Sequence, residues 1–308
     1  MAPAFASASS KFPTRSVEMI VPYPPGGSAD FVTRLIAEQL SKGWGVPVIV
    51  QNRPGATGQI GFSAIAKAKP DGYTFGLVPA AFMHLAAINP SLPFDVLKDF
   101  SFITRVSEMP FVMTASSKFA PRSITEVVEF AKKSPGELSY GSFGAGSSAH
   151  VLGVMLTRET GIQATHVPFQ GSAQMVPMEI AGEIKVSFDL IVSKLAFIKS
   201  GQLTPLFVTS AARNPSLPDT PTAAEVGLPN LEFETWFGFM GPKGIPPETM
   251  RALNAAIVAA ARQPEVRAKL RQQGMAVRTE TPEEFTRFVT DYKERIRRVV
   301  QENAGESK

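Results

Sequence analysis

A chain of 308 residues has room for roughly two domains and for a core that needs no disulfide or metal to stabilise it. It contains no cysteine, which excludes thiol catalysis, Cys-ligated zinc and disulfides, and suits an oxidising compartment. The net charge of +4 comes from scattered basic residues; the one dense cluster, Arg295, Arg297 and Arg298, is interleaved with Glu294 and Glu302 and reads as a solvated helix face, so no nucleic-acid partner is expected.

The first stretch, Met1 to Ser10, carries Ala4-Phe5-Ala6 and Ala6-Ser7-Ala8, which have the small-residue character of a signal-peptidase site without the charged start and apolar run that precede one. It reads either as the remainder of a removed or truncated export signal or as an ordinary tail. Nowhere do 18 apolar residues follow one another, so no membrane insertion is expected. Val17–Val21 reads as a buried strand and Phe31–Lys42 as a helix with Val32, Leu35, Ile36 and Leu40 on one stripe. Val46–Val50 and Thr74–Val78 are further strands, the second introduced by the turn Pro70-Asp71-Gly72-Tyr73. This βαβ rhythm predicts a parallel sheet with helices on both faces.

A second series starts at Phe111–Ala115. Ser123 and Glu126 form a capping box for a helix that buries Ile124, Val127, Val128 and Ala131. Leu138–Tyr140 is a short strand, 147–159 a helix, and Ala164–Val167, Ile184–Phe188 and Leu203–Val208 are strands. The C-terminal region is largely helical, with Pro246–Arg262 followed by a helix opened by the capping box Thr281-Pro282-Glu283-Glu284. With no flexible linker, the chain is expected to cross between two α/β domains more than once, at Phe102–Val106 and Phe233–Met240. Two crossings predict hinged lobes with a cleft between them: residues 1–104 with 233–308 as one lobe, and 105–232 as the other.

Two glycine-rich turns, each between a predicted strand and a predicted helix, carry most of the functional information. The first contains Tyr23, Pro25, Gly26, Gly27, Ser28 and Asp30; the second runs from Ser142 and Phe143 through Gly144, Ala145, Gly146, Ser147 and Ser148 to His150. Glycine lets the backbone approach a ligand closely, and such a turn aims free N–H groups and the positive end of a helix dipole at it. Two facing turns of this kind make a site for an anion, most simply a carboxylate. Neither carries Lys or Arg.

Other chemistries fit less well. Gly144-Ala145-Gly146-Ser147-Ser148-Ala149 matches a loose dinucleotide fingerprint, but the next strand ends in Pro168-Phe169-Gln170, with no acid to hold a ribose. No P-loop lysine is present, and Gly26-Gly27-Ser28-Ala29-Asp30 has Asp where a nucleophile elbow needs Gly. His84, His150 and His166 are too far apart for a local metal motif. His150 either donates to an anion or caps local backbone, whereas His166 reads as a structural strand histidine. Asp30, at a helix start, either braces its loop or meets an ammonium group; Asp189 has the same ambiguity. Asn52-Arg53-Pro54-Gly55-Ala56-Thr57-Gly58 is a third glycine turn, expected to be structural, with Arg53 solvated or paired.

Together these pieces resemble a known family, the substrate-binding proteins of tripartite tricarboxylate transporters, also called Bug or TctC-like periplasmic solute receptors. The resemblance rests on Val21 to Asp30, Gln51 to Gly58, Pro70 to Thr74, Tyr140 to His150, His166 to Gly171 and Pro218 to Gly227, and runs along nearly the whole chain. It implies a two-lobed, type II-like periplasmic binding protein of the α/β class, a monomer that delivers a small organic carboxylate to integral-membrane transporter subunits. The carboxylate is held by backbone N–H groups and ordered waters, without cofactor, metal or covalent chemistry. It also implies that Phe169, Gln170, Gly171 and Asp189 line the second lobe's side and a loop at Ala80–His84 the first lobe's. The family commonly has Tyr-Lys where this chain has Phe169-Gln170, which disfavours a highly charged ligand such as citrate. Tyr23, Phe82, Phe143 and Phe169 either sandwich a flat ring, favouring an aromatic carboxylate or dicarboxylate, or pack as core. The alternative reading is an α/β enzyme that uses the Gly144–Gly146 turn for a cofactor or an oxyanion; a signalling receptor shares the fold.

Overall fold

The computed structural model describes residues 12–89, 91–144 and 146–304; the stretch Met1 to Ser10 and the predicted site residue Ala145 lie outside them. In chain order the elements are β1 (Val17–Val21), α1 (Ser28–Trp44), β2 (Val48–Asn52), α2 (Gln59–Ala66), β3 (Thr74–Pro79), α3 (Ala81–Ile88) and β4 (Phe100–Ser116). Then come α4 (Ile124–Lys133), β5 (Ser139–Ser142), α5 (Ser148–Thr160), β6 (Thr165–Pro168), α6 (Ser172–Ala181), β7 (Val186–Leu190), α7 (Ile191–Lys199) and β8 (Leu203–Val208). The chain finishes with β9 (Glu234–Pro242), α8 (Pro247–Arg262), α9 (Pro264–Gln272), β10 (Ala276–Val277) and α10 (Pro282–Ala304).

The strands form one curled sheet in the order β2-β1-β3-β9-β4-β7-β5-β6. β1 pairs in parallel with β2 and β3, and β5 pairs in parallel with β6 and β7. Between these two parallel sets lie the antiparallel β9 and β4. β4 is one continuous strand of 17 residues that covers both Phe102–Val106 and Phe111–Ala115. Its partners change along its length. From Phe100 to Pro110 it pairs with β9, and from Phe111 onward with β7 and β8. The chain therefore passes between the two halves along β4 and returns along β9.

The local causes are those the sequence carries. β1 is apolar nearly throughout because helices cover both faces of a parallel sheet. α1 buries Val32, Leu35, Ile36 and Leu40, and ends at Gly45, whose φ of 69° closes the helix. It starts at Ser28, three residues ahead of the predicted start, because extended Gly27 takes the N-cap position. Thr281 and Glu284 exchange hydrogen bonds at 3.2 and 2.9 Å and complete their capping box, whereas at α4 the Ser123 hydroxyl accepts from Glu126 N–H at 3.2 Å but the Glu126 carboxylate accepts from Arg122 N–H at 2.7 Å, one residue before the cap. Val128 is only partly buried.

Two expectations change. The loop expected at Ala80–His84 is the start of α3. Phe82 is not on a cleft wall: it is fully buried, with ring centroids of Phe62, Phe94 and Phe100 at 4.4, 5.6 and 5.2 Å. A helix that follows a buried strand turns its apolar side inward, and Phe82 follows that side.

Candidate functional site

In a parallel sheet, ligands gather at the carboxyl ends of the strands, where helix N-termini converge. Both parallel sets end this way. β1 leads through the first glycine turn into α1, β5 through the second into α5, β6 through Phe169–Gly171 into α6, and β7 through Asp189 into α7.

In the first turn, residues Pro24 to Ser28 are exposed. A Cβ on Gly26 or Gly27 would meet nothing within 4 Å, so the space above the turn is open. Gly27 caps α1 without a side-chain hydrogen bond, and the first intrahelical bond closes from Phe31 N–H to the Gly27 carbonyl. The amides of Ser28 and Ala29 are left as helix-start donors. Asp30 is buried and has both oxygens occupied: they accept from Gly26 N–H at 3.0 Å, Arg34 Nε at 3.0 Å and Asn52 Nδ2 at 2.9 Å. Burial opposes its charge, but the Arg34, Gly26 and Asn52 hydrogen bonds win and hold its carboxyl below the usual range. Asp30 is therefore a brace for the turn, and its carboxylate is not available to a ligand. Asn52 also donates to the Tyr23 carbonyl at 3.1 Å, tying the turn to the end of β2. The Tyr23 ring is half-buried against Phe62. Arg53 is paired with Glu18 at 3.0 Å, as a structural turn requires.

The second turn is partly exposed at Phe143, Gly144, Gly146, Ser147 and Ser148, above a fully buried Ser142. Gly144 and Gly146 have φ of 93° and 79°, conformations that side chains resist. The Ser147 hydroxyl caps α5 by accepting from His150 N–H at 3.2 Å. Since Val151 N–H closes onto the Ser147 carbonyl, Ser148 and Ala149 are left as helix-start donors.

All three histidines converge on this turn. Gly146 N–H donates to His150 Nδ1 at 3.3 Å. Ser142 Oγ lies 2.6 Å from His166 Nε2 and accepts from Gly144 N–H at 3.2 Å. His84, on α3, places Nδ1 3.0 Å from the Gly146 carbonyl and Nε2 2.8 Å from the Tyr292 hydroxyl of α10. That contact joins the carboxyl edge of the β1-β2-β3 set to that of the β5-β6-β7 set. Burial pushes His84 down to about 4, and burial with the neighbouring His166 pushes His150 down to about 4. Burial also lowers His166.

Phe169 and Gly171 are partly exposed and Gln170 exposed, beside the second turn; Phe169 N–H donates to the Ser142 carbonyl at 2.8 Å and Gly171 caps α6. Asp189 is fully buried. Its Oδ1 accepts from Leu190 N–H at 2.6 Å, its Oδ2 has no partner, and burial raises its pKa. Behind it, the buried pair Lys194 and Glu179, 2.8 Å apart, is completed by Thr114 and Ser187 and locks α6 and α7 onto β4 and β7. The predicted residues thus fall on the two glycine turns, on the β6–α6 connection at Phe169–Gly171 and at the end of β7 at Asp189, with Phe82 left in the core. Sequence reading missed Asn52, Arg34, and His84 with Tyr292. The last pair is separated by 208 residues and has no local signal.

A groove of about 950 Å³ lies elsewhere. It runs along the C-terminal part of α5 and the outer face of α10, among Arg158, Glu159, Asp291, Glu294, Arg295 and Arg298. Its charges are of both signs, and neither glycine turn lines it. Among the described residues no cluster of metal ligands occurs and no helix is long and apolar enough to cross a membrane.

Two parallel sets joined by two crossing strands, each set leading into helix N-termini at its carboxyl edge, define a two-lobed solute receptor with the type II-like periplasmic-binding-protein fold. Comparison with known proteins gives the narrower assignment. The family model described as "Tripartite tricarboxylate transporter family receptor" matches residues 32–304, and the chain belongs to that family. Protein BugT of Bordetella pertussis is 34% identical over 300 residues, covering 96% of this chain and 92% of that one. Among solved structures, MatC from Rhodopseudomonas palustris with bound malate is 30% identical, with a TM-score of 0.76 over 94% of this chain and 100% of that one. An R. palustris protein with adipate is also 30% identical, with a TM-score of 0.78 over 94% and 97%.

Proposed function

We propose that this receptor takes a small organic carboxylate between the first and second glycine turns, outside the cytoplasmic membrane, and hands it to a tripartite membrane transporter. The observation that carries the reading is the pair of helix starts with spare backbone donors, behind exposed Ser28 and half-exposed Ser148, with no Lys or Arg in either turn. Two helix N-termini at ~0.5 charge each offset one carboxylate in a cleft that excludes water. The malate and adipate held by the two R. palustris relatives support a carboxylate as the solute class. The lobes are residues 1–104 with 233–308, and 105–232, and they close about β4 and β9. With Phe82 in the core, the remaining partly exposed rings, Tyr23, Phe143 and Phe169, offer an apolar side to the body of the solute.

The test is a thermal-shift screen with malate, adipate, benzoate and NAD. A solute at 100 times its Kd adds ~2.7 kcal/mol, or roughly 2–4 °C for a chain of this size. A shift with any of the acids is the expected result. A benzoate shift assigns the three rings to a flat solute, and a shift with the aliphatic acids alone removes that role. A shift with NAD and none with the acids favours the enzyme reading.

A further inference from the structure

We propose that His84 is a positioning residue for solute binding: from α3 it fixes the Gly146 peptide of the second turn through one neutral tautomer, and makes solute affinity fall on acidification. This rests on the second turn being half of the carboxylate site.

The tautomer follows from the partners. A carbonyl oxygen only accepts, so the Nδ1 that lies 3.0 Å from the Gly146 carbonyl carries the proton. Nε2 is then an acceptor, and the Tyr292 hydroxyl 2.8 Å away donates to it. His84 is 2% exposed, and the Tyr292 ring stacks on it at 5.7 Å with an interplanar angle of 14°. Phe233, the residue before β9, closes a further side, with its ring centroid 6.4 Å away. Among the described residues no carboxylate stabilises a second proton on the imidazole, and the cation beside the pair is Arg295, which acts on Tyr292.

Protonating Nε2 therefore takes away the Tyr292 donation and places an unpaired charge in an apolar box. The same turn is held from below by His150, which must keep Nδ1 bare to accept Gly146 N–H, and by His166 through Ser142. The groups facing these two rings are each other and Tyr140, again with no carboxylate. The sign is that of a depressed histidine. The contribution to folding is complete above the ordinary pKa near 6.5 and is lost as pH falls towards about 4, and solute affinity follows where the folded chain itself takes the proton, close to pH 4.

The test pairs calorimetric titration with histidine 15N NMR on wild type, His84→Asn, His84→Ala and Tyr292→Phe, using malate, adipate and benzoate between pH 7.5 and 4. Asn keeps an N–H donor at the Nδ1 position and does not titrate. The expected result is that Ala weakens binding by on the order of tenfold at neutral pH, Asn by much less, and that the wild-type to Asn affinity ratio holds to about pH 5 and falls as pH approaches 4. The ratio cancels the acid's own titration. Binding by His84→Ala equal to wild type, or a ratio flat with pH, overturns the proposal. The NMR arm needs no solute: His84 as the Nδ1–H tautomer down to pH 5 supports the proposal, and an Nε2–H tautomer or a cation at pH 6 overturns it. If none of the acids binds wild type, the carboxylate reading fails and the proposal with it, whereas a flat ratio with intact binding fails the proposal alone.

Discussion

At the scale of single residues, role is set by whether polar atoms are already spent. Asp30 reads in sequence as either a loop brace or a ligand contact, and the brace holds, because its oxygens are taken by Gly26, Arg34 and Asn52. Asp30→Ala takes the shared acceptor from Gly26 N–H, Arg34 and Asn52 and is expected to lower the unfolding free energy by about 1–3 kcal/mol in urea melts. It also weakens malate, adipate and benzoate alike; loss confined to acids that carry an amine would instead make Asp30 a ligand contact. Glu234, at the start of β9, is the opposite case. Burial and the adjacent Glu108 raise its carboxyl from 4.5 to about 7, against the pull of Arg105. Its raised pKa means that the folded chain holds a proton the unfolded chain releases. This stabilisation is complete below pH 4.5 and disappears as pH rises through 7. Glu234→Gln should match wild type at pH 4.5 and exceed it in Tm at pH 8; equal Tm at both pH values would contradict this. Phe82 was misread because aromatic composition near a turn does not say which way a ring faces. Its place among Phe62, Phe94 and Phe100 is a tertiary fact.

At the scale of elements, segments with a strong period or a cap were legible. β1 and β8 have the predicted bounds, α5 and α8 lie within a residue of them, and α4 and α10 start right after the predicted caps Ser123 and Thr281. The helices α2, α3, α6 and α7 were not read, since each is ten residues or shorter and carries little one-sided pattern. α6 even contains Pro177. The second turn depends on how α5 packs. Gly153 lies against Tyr140, whose ring in turn stacks on His166 at 5.1 Å, and a Cβ there would run into the Tyr140 ring. Ala gains up to ~1 kcal/mol of helix propensity, whereas overpacking costs about 1–3 kcal/mol. Gly153→Ala is therefore expected to be net destabilising in urea melts and to weaken solute binding through His166 and Ser142. At the cap, Ser147→Ala should cost about 1 kcal/mol and lower affinity, because it frees His150 N–H from its acceptor.

At the scale of the molecule, the two parallel sets and the crossing stretches were readable from the βαβ rhythm and the missing linker. That one unbroken β4 carries the chain across was not, because the change of partner after Pro110 depends on which strands are neighbours. The contact of His84 with Gly146 and Tyr292 was equally invisible, since only the fold brings α3, α5 and α10 together. The central claim is that both glycine turns hold one solute. Amide hydrogen exchange, with and without the acid that gives the largest thermal shift, tests it most directly. The account predicts simultaneous slowing at Ser28–Phe31 and at Ser148–Val151, saturating at one solute per chain. Slowing at one turn alone, or only along the groove between α5 and α10, would contradict it.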